Sequence, residues 1–146
     1  MSFAQNEATL GFLLPEMKRE RLIELANVEV VLLTPNLAYA IELQRTCVRW
    51  CIDYSWQIVD KGFEEFSESM DIALIDYDMG INEAMALAQK IHQKHETLPI
   101  LLIGSKLNYS TKGDWPPNVG GSVLKSLGTD KVVEYMVYMG NGLHKS

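Results

Sequence analysis

The 146-residue sequence is poor in the features that mark secreted, membrane and nucleic-acid-binding proteins. It has two cysteines, Cys47 and Cys51, whose four-residue spacing suits neither a mutual disulfide nor a Cys-x-x-Cys redox pair. No apolar run approaches the roughly 20 residues that cross a bilayer, and the start shows no signal-peptide pattern. A net charge of −6 leaves no basic field for nucleic acid. We therefore expect a cytoplasmic protein that contacts neither nucleic acid nor membrane directly.

Catalytic motifs are also missing. The sequence contains no glycine-rich phosphate loop and no nucleophile elbow, so we expect no catalytic residues and no enzymatic activity. These absences leave a binding or signalling role as the first hypothesis.

What is present is an alternation of apolar strands and amphipathic helices. At 47% hydrophobic and 22% charged residues, the composition is that of an ordinary globular domain. Strands that are apolar on both faces and separated by helices predict an α/β fold, a doubly wound, flavodoxin-like parallel sheet of five strands. We expect one domain over residues 28–140, with tails at 1–27 and 141–146. The predicted strands cover 28–33, 54–59, 71–76, 98–104 and 121–125, and the predicted helices 37–51, 61–69 (with Phe63 and Phe66 inward), 81–95 and 129–139.

Polar groups follow these strands where each one ends. In "MDIALIDYDMG" an apolar run stops at Asp76, and Lys125 closes the last predicted strand. Thr34-Pro35 ends the first strand and Gly104-Ser105 the fourth. Because functional groups in parallel sheets gather at the carboxyl ends of the strands, these residues are the candidate site.

In this order and spacing, the strand ends resemble those of a bacterial response-regulator receiver domain, the CheY-like family. Asp76, followed by Met79, is similar to the aspartate of these domains that accepts phosphate, and Lys125 to their lysine. The resemblance implies a role in two-component, or phosphorelay, signal transduction. It also implies that the partner is a signalling protein, either a histidine kinase or a phosphotransfer domain, and that Asp76 is the candidate phosphoacceptor.

The first strand departs from the family pattern. Receivers carry an acidic pair where this chain has Thr34-Pro35, so the carboxylates that hold Mg²⁺ are missing. Mg²⁺ requires hard oxygen ligands in octahedral geometry, and phosphoryl transfer depends on its charge. We therefore expect no cofactor, at most weak Mg²⁺ binding, and no phosphorylation of Asp76.

Other positions of the pattern depart as well. Gly104 stands where receivers have a hydroxyl, Ser105 comes one place late, Ser122 replaces an aromatic ring and Gly80 replaces a proline. Asp78 is expected to be a solvated loop carboxylate; the alternative is that it partly replaces a missing metal ligand. The prediction is a degenerate receiver that acts by protein–protein interaction, with Lys125 paired to Asp76.

The segment after the fourth strand has lost helical periodicity. Gly113, Pro116 and Pro117 interrupt residues 106–118, which predicts a loop in place of the fourth helix. The loop carries Tyr109 and Trp115. An exposed Trp115 would suit a partner anchor, whereas a ring folded back would cover the sheet.

Several alternatives stay open at this stage. The piece "ATLGFLLPE" is similar to the closing strand of a histidine kinase ATP-binding domain, so the chain is either free-standing or excised from a hybrid sensor kinase. In the second case the parent would be an enzyme, and the domain the cytoplasmic part of a membrane-bound sensor. The main functional alternative is a working receiver. A flavodoxin-like enzyme or nucleotide binder ranks last, because "TPNLAYA" after the first strand has no glycine. The sequence gives no signal for the oligomeric state.

Overall fold

Five parallel strands form a single sheet in the computed structural model, which describes residues 27–59, 65, 67–106 and 115–142. Their order is β2-β1-β3-β4-β5, the flavodoxin-like arrangement in which the chain winds outward in both directions from β1 and β3. The strands are β1 (Glu29–Thr34), β2 (Asp53–Ile58), β3 (Ile72–Asp76), β4 (Ile100–Gly104) and β5 (Val119–Leu124). The prediction of a five-stranded parallel α/β fold is confirmed.

Helices cover both faces of the sheet. They are α1 (Leu37–Arg49), α2 (Ile81–Lys94) and α3 (Thr129–Gly140). The apolar stripes of α1 and α3 pack on one face, and that of α2 packs on the other. The central strands β1, β3 and β4 are buried nearly throughout, which is why their sequences are continuously apolar rather than alternating.

Two predicted boundaries shift for identifiable reasons. Strand β4 begins at Ile100 instead of residue 98, and Pro99, which has no backbone N–H for the ladder, directly precedes it. Lys125 does not end β5 but opens the 3₁₀ turn Lys125–Leu127 that follows the strand. Its side chain therefore starts just beyond the sheet, where it has room to reach back toward β3.

Some predictions lie outside the described residues. These are the region of "ATLGFLLPE", the inward Phe63 and Phe66, and the loop from 107 to 114 with Tyr109. Glu65 and residues 67–69 are described and are not helical. Within the described ranges, Cys47 and Cys51 are free thiols, and no helix is long and apolar enough to cross a membrane. The domain limits of 28–140 stay a prediction.

Candidate functional site

The parallel register brings the predicted site residues to one end of the sheet. Strands β1 and β3 pair from Val30 and Ile72 through Leu33 and Ile75, so their next residues, Thr34 and Asp76, meet side by side. We call this end, formed by the last residues of β1, β3 and β4 and the first after β5, the carboxyl edge.

Asp76 is fully buried at this edge, and both of its carboxylate oxygens have hydrogen-bond donors. Oδ2 accepts from the Thr34 hydroxyl at 2.7 Å and from the Lys125 ammonium at 2.7 Å. Oδ1 accepts from the backbone N–H of Asp78 at 3.0 Å. A buried carboxylate needs such partners, because an unpaired one is strongly destabilising. We call Asp76, Thr34 and Lys125 the inner site.

The Lys125 ammonium sits between two carboxylates and a ring. Besides Asp76 it contacts Asp78 Oδ2 at 3.0 Å, and it lies 4.5 Å from the centroid of the Tyr39 ring. Burial works to lower the pKa of Lys125, but the hydrogen bonds and charges of Asp76 and Asp78 outweigh it and hold the pKa above its usual value. The ammonium is therefore the cation of this site.

Asp78 and Ser105 form what we call the rim. The Ser105 backbone N–H donates to Asp78 Oδ1 at 2.9 Å and its hydroxyl donates to Oδ2 at 2.7 Å. Partial burial works to raise the pKa of Asp78, but these bonds and Lys125 hold it below its usual value. Asp78 was expected to be a solvated loop carboxylate; it is exposed but fixed by Ser105. The Ser105 hydroxyl serves Asp78 and not Asp76.

The turn after β1 sets the Thr34 hydroxyl in place. The Asn36 backbone N–H donates to Thr34 Oγ1 at 3.0 Å, while the Asn36 side chain caps α1 by accepting from the Tyr39 N–H. Pro35 lies exposed between them. The Thr34 oxygen thus accepts from the backbone and donates to Asp76, a neutral bridge where receivers have carboxylates.

The donor set does not fit a magnesium ion. Thr34 and Pro35 contribute no carboxylate, and the oxygen of Asp76 that faces Thr34 already accepts from the Lys125 ammonium. Within the described part of the chain, no group of three or more His, Cys, Asp or Glu side chains is arranged to hold a metal ion. The Lys125 ammonium contacts both Asp76 and Asp78 and offsets one of their two negative charges.

Two departures from the receiver pattern have local explanations. Gly80 replaces a proline, and its φ of +123° is one that proline, fixed near −65°, cannot adopt. Gly104, at the end of β4, lies against the ring of Tyr77.

Trp115 is half-buried and packs against the apolar cluster on the α2 face, so its ring covers the sheet instead of projecting as an anchor.

Comparison with known proteins decides the fold. No protein-family model and no curated protein matches the sequence. Among solved structures, the receiver domain of the Francisella response regulator 1452 matches with a TM-score of 0.60 at 12% identity, covering 80% of this chain and 98% of that one. The receiver domain of nitrogen regulatory protein C matches with a TM-score of 0.61 at 16% identity, covering 83% and 99%. The chain has the receiver fold. At these identities the match concerns the fold alone, which agrees with the resemblance read from the strand ends.

Sequence reasoning missed two aromatic residues of this receiver fold. Tyr39, in the first turns of α1, underlies Lys125, and Tyr77, next to Asp76, turns toward the α2 face. The pKa of Tyr39 is raised by burial and by the charge of Asp76, so its hydroxyl stays neutral. No spacing in the sequence indicates either contact, because both depend on the direction of an aromatic ring, which neither helix nor strand periodicity specifies.

Proposed function

We propose that this chain is a degenerate receiver domain of two-component signalling that acts by protein–protein interaction and does not accept phosphate. The observation that carries the proposal is the saturation of Asp76: both of its oxygens have donors from the chain itself. Attack through Oδ2 would have to give up the bonds to Thr34 and Lys125, and attack through Oδ1 would have to give up the bond to the Asp78 N–H. On this proposal no carboxylate pair holds a metal that would neutralise the incoming phosphoryl group. On this proposal the domain is not an enzyme.

The partner, on this proposal, is a histidine kinase or a phosphotransfer domain in the cytoplasm. Four large apolar side chains that are exposed in the described residues support a contact role. A contiguous exposed apolar patch marks an interaction site, and residues 37, 41 and 48 lie at the four- and seven-residue spacing that puts them on one side of a helix. All of them lie on α1 or on the edge strand β2: Leu37, Ile41, Val48 and Ile58.

A working receiver is the second candidate, because Lys125 places a cation beside the candidate phosphoacceptor, where it could stabilise an added phosphoryl group. A nucleotide binder has less support. The N–H of Tyr39 in the first turn of α1 is already taken by the Asn36 side chain and is not available for a phosphate.

Phosphorylation is tested by intact mass. The protein is incubated with acetyl phosphate and Mg²⁺, next to a receiver domain known to take phosphate and the Asp76→Asn variant. We expect no mass gain in this chain while the control receiver gains one phosphoryl group. A gain that disappears in Asp76→Asn would establish the working receiver instead.

Magnesium is tested separately by amide NMR. Adding Mg²⁺ to millimolar concentration is expected to leave the amide signals of Asp76 and its neighbours in place. The Thr34→Asp, Pro35→Asp double variant supplies the two missing carboxylates, and its signals should move with added metal. Saturable binding by the unmodified chain at sub-millimolar metal, localised to Asp76, would contradict the proposal.

A further inference from the structure

The ring of Tyr77 occupies the space into which a side chain at position 104 would project. A Cβ atom built on Gly104 would lie 2.5 Å from both Cε1 and Cζ of that ring, well inside van der Waals contact. Tyr77 is 8% exposed and belongs to the apolar cluster of the α2 face. The neighbouring side chains therefore hinder the ring from moving away from position 104. Glycine at 104 is therefore required by Tyr77.

Tyr77 also holds the chain that follows β4. Its hydroxyl donates to the backbone carbonyl of Lys106. Burial, together with the charges of Asp78 and Asp76, raises the pKa of Tyr77 to about 12, so the phenol keeps the proton that it donates. Tyr77 thus contacts both ends of the segment from Gly104 to Lys106, with its ring at Gly104 and its hydroxyl at Lys106.

Ser105 lies between these two contacts. Its backbone N–H and hydroxyl both donate to Asp78, and Asp78 in turn contacts the Lys125 ammonium. A continuous set of contacts therefore runs from the Tyr77 side chain, through the segment after β4, to the cation of the inner site.

We propose that Tyr77 is the positioning residue of the carboxyl edge: it excludes a side chain at position 104 and fixes Ser105 on Asp78. The inference rests on the proposed function at one point only. Position 104 is where the resemblance to receivers implies a hydroxyl side chain, and Tyr77 excludes any side chain there. Restoring carboxylates at Thr34 and Pro35 would leave this second obstacle in place.

The steric half is tested by a double-mutant cycle in urea. Gly104→Ala is expected to lower the folding equilibrium constant about tenfold in the natural chain, since overpacking of a buried site is destabilising. In the Tyr77→Ala background the same change should cost nothing, because the ring that it meets is gone. Equal losses in both backgrounds would overturn the steric claim. If Tyr77→Ala does not fold, Tyr77→Leu provides the background.

The positioning half is tested by following the carboxyl carbon of Asp78 by NMR as a function of pH. Tyr77→Leu should move the titration of Asp78 to higher pH, and Tyr77→Phe, which loses only the hydroxyl, should move it less. Tyr54→Phe is the matched control, because the Tyr54 hydroxyl also donates to a backbone carbonyl, that of Ala40, on the opposite face.

An unchanged Asp78 titration in folded Tyr77→Leu and Tyr77→Phe would overturn the proposal, as would an equal shift in Tyr54→Phe. Neither measurement uses a phosphodonor or a metal. Phosphorylation of Asp76 in the mass assay would therefore refute the proposed function without affecting the result for Tyr77.

Discussion

The inner site and the rim contain two aspartates, Asp76 and Asp78, with matching partners and different surroundings. Each carboxylate accepts two hydrogen bonds from neutral donors, and each contacts the Lys125 ammonium. The Asp76 side chain is 0% exposed, however, whereas that of Asp78 is 33% exposed. The comparison teaches that exposure to solvent, and not the number of partners, decides how much these contacts contribute to stability. Loss of a partner leaves a buried, unpaired charge at Asp76, whereas at Asp78 water takes the place of the lost partner.

Removing the shared cation should give the largest effect. Lys125→Met keeps the aliphatic stem but leaves the buried Asp76 carboxylate without its counter-charge, so we expect a loss of about 3–5 kcal/mol in urea unfolding. Lys90→Met, at an exposed position of α2, is the control and should change stability by less than about 0.5 kcal/mol.

Removing the charge of Asp76 as well tests whether the unpaired carboxylate causes this loss. The Asp76→Asn, Lys125→Met double variant should be more stable than Lys125→Met alone, because no buried charge is left unpaired. A double variant that is less stable than Lys125→Met would show that packing of the lysine stem, and not charge, dominates the inner site.

The Thr34 hydroxyl comes next in size. Thr34→Val retains the shape of the side chain but removes the donor to Asp76 and the acceptor for the Asn36 N–H. Hydrogen bonds to charged groups contribute about 1.5–3 kcal/mol, and thermal or urea unfolding should show a loss of that order. Thr34→Ser keeps the hydroxyl and is expected to be milder. A loss in Thr34→Ser, which lacks only the methyl group, as large as that in Thr34→Val would contradict a dominant role for the hydroxyl.

The rim should give the smallest effect, and one that depends on pH. The folded pKa of Asp78 lies below its usual value of about 3.9, so its contribution is present above that pH and is lost as pH falls through the folded pKa. Asp78→Asn should therefore cost less than about 1 kcal/mol at pH 7 and nothing in strong acid. If Asp78→Asn lowers the free energy of unfolding by the same amount at every pH, the charge of Asp78 is not the cause of the loss.

Lys125 gives stability the opposite pH dependence, at the alkaline end of the range. Its folded pKa lies above the usual value of about 10.4, so its stabilisation is complete below that pH and is lost as pH rises through the folded pKa. Urea midpoints measured above pH 10 should fall more steeply in the natural chain than in Lys125→Met, where the buried tyrosines still titrate but the lysine is gone. Parallel curves for the two proteins would contradict this account of the inner site.

The sequence was sufficient for the sheet and for the residues at its carboxyl edge. Continuous apolar strands predict burial on both faces, and burial with helical connections predicts parallel pairing, which brings Asp76 and Lys125 to one edge. The direction of each aromatic ring could not be predicted in this way. Strand periodicity places a Cβ on one face of the sheet but does not show that the Tyr77 ring will extend over Gly104.

The role of the Thr34 hydroxyl was also beyond the sequence. A threonine at the end of β1 is an ordinary β-branched strand residue, and its replacement of a carboxylate indicated only what was missing. Its bond to Asp76 depends on the Asn36 N–H, which holds the hydroxyl from the other side. Contacts of this kind join β3 to the turn after β1, two segments far apart in the sequence, and have no one-dimensional signature.

The bond from Thr34 to Asp76 has a consequence for how such a protein can evolve. A single change of Thr34 to aspartate would place a second carboxylate beside a fully buried one, where the two would repel and compete for one lysine. That intermediate has lost stability before any metal site is complete. A path that changes Thr34 first therefore passes through a less stable protein, and selection for folding opposes it.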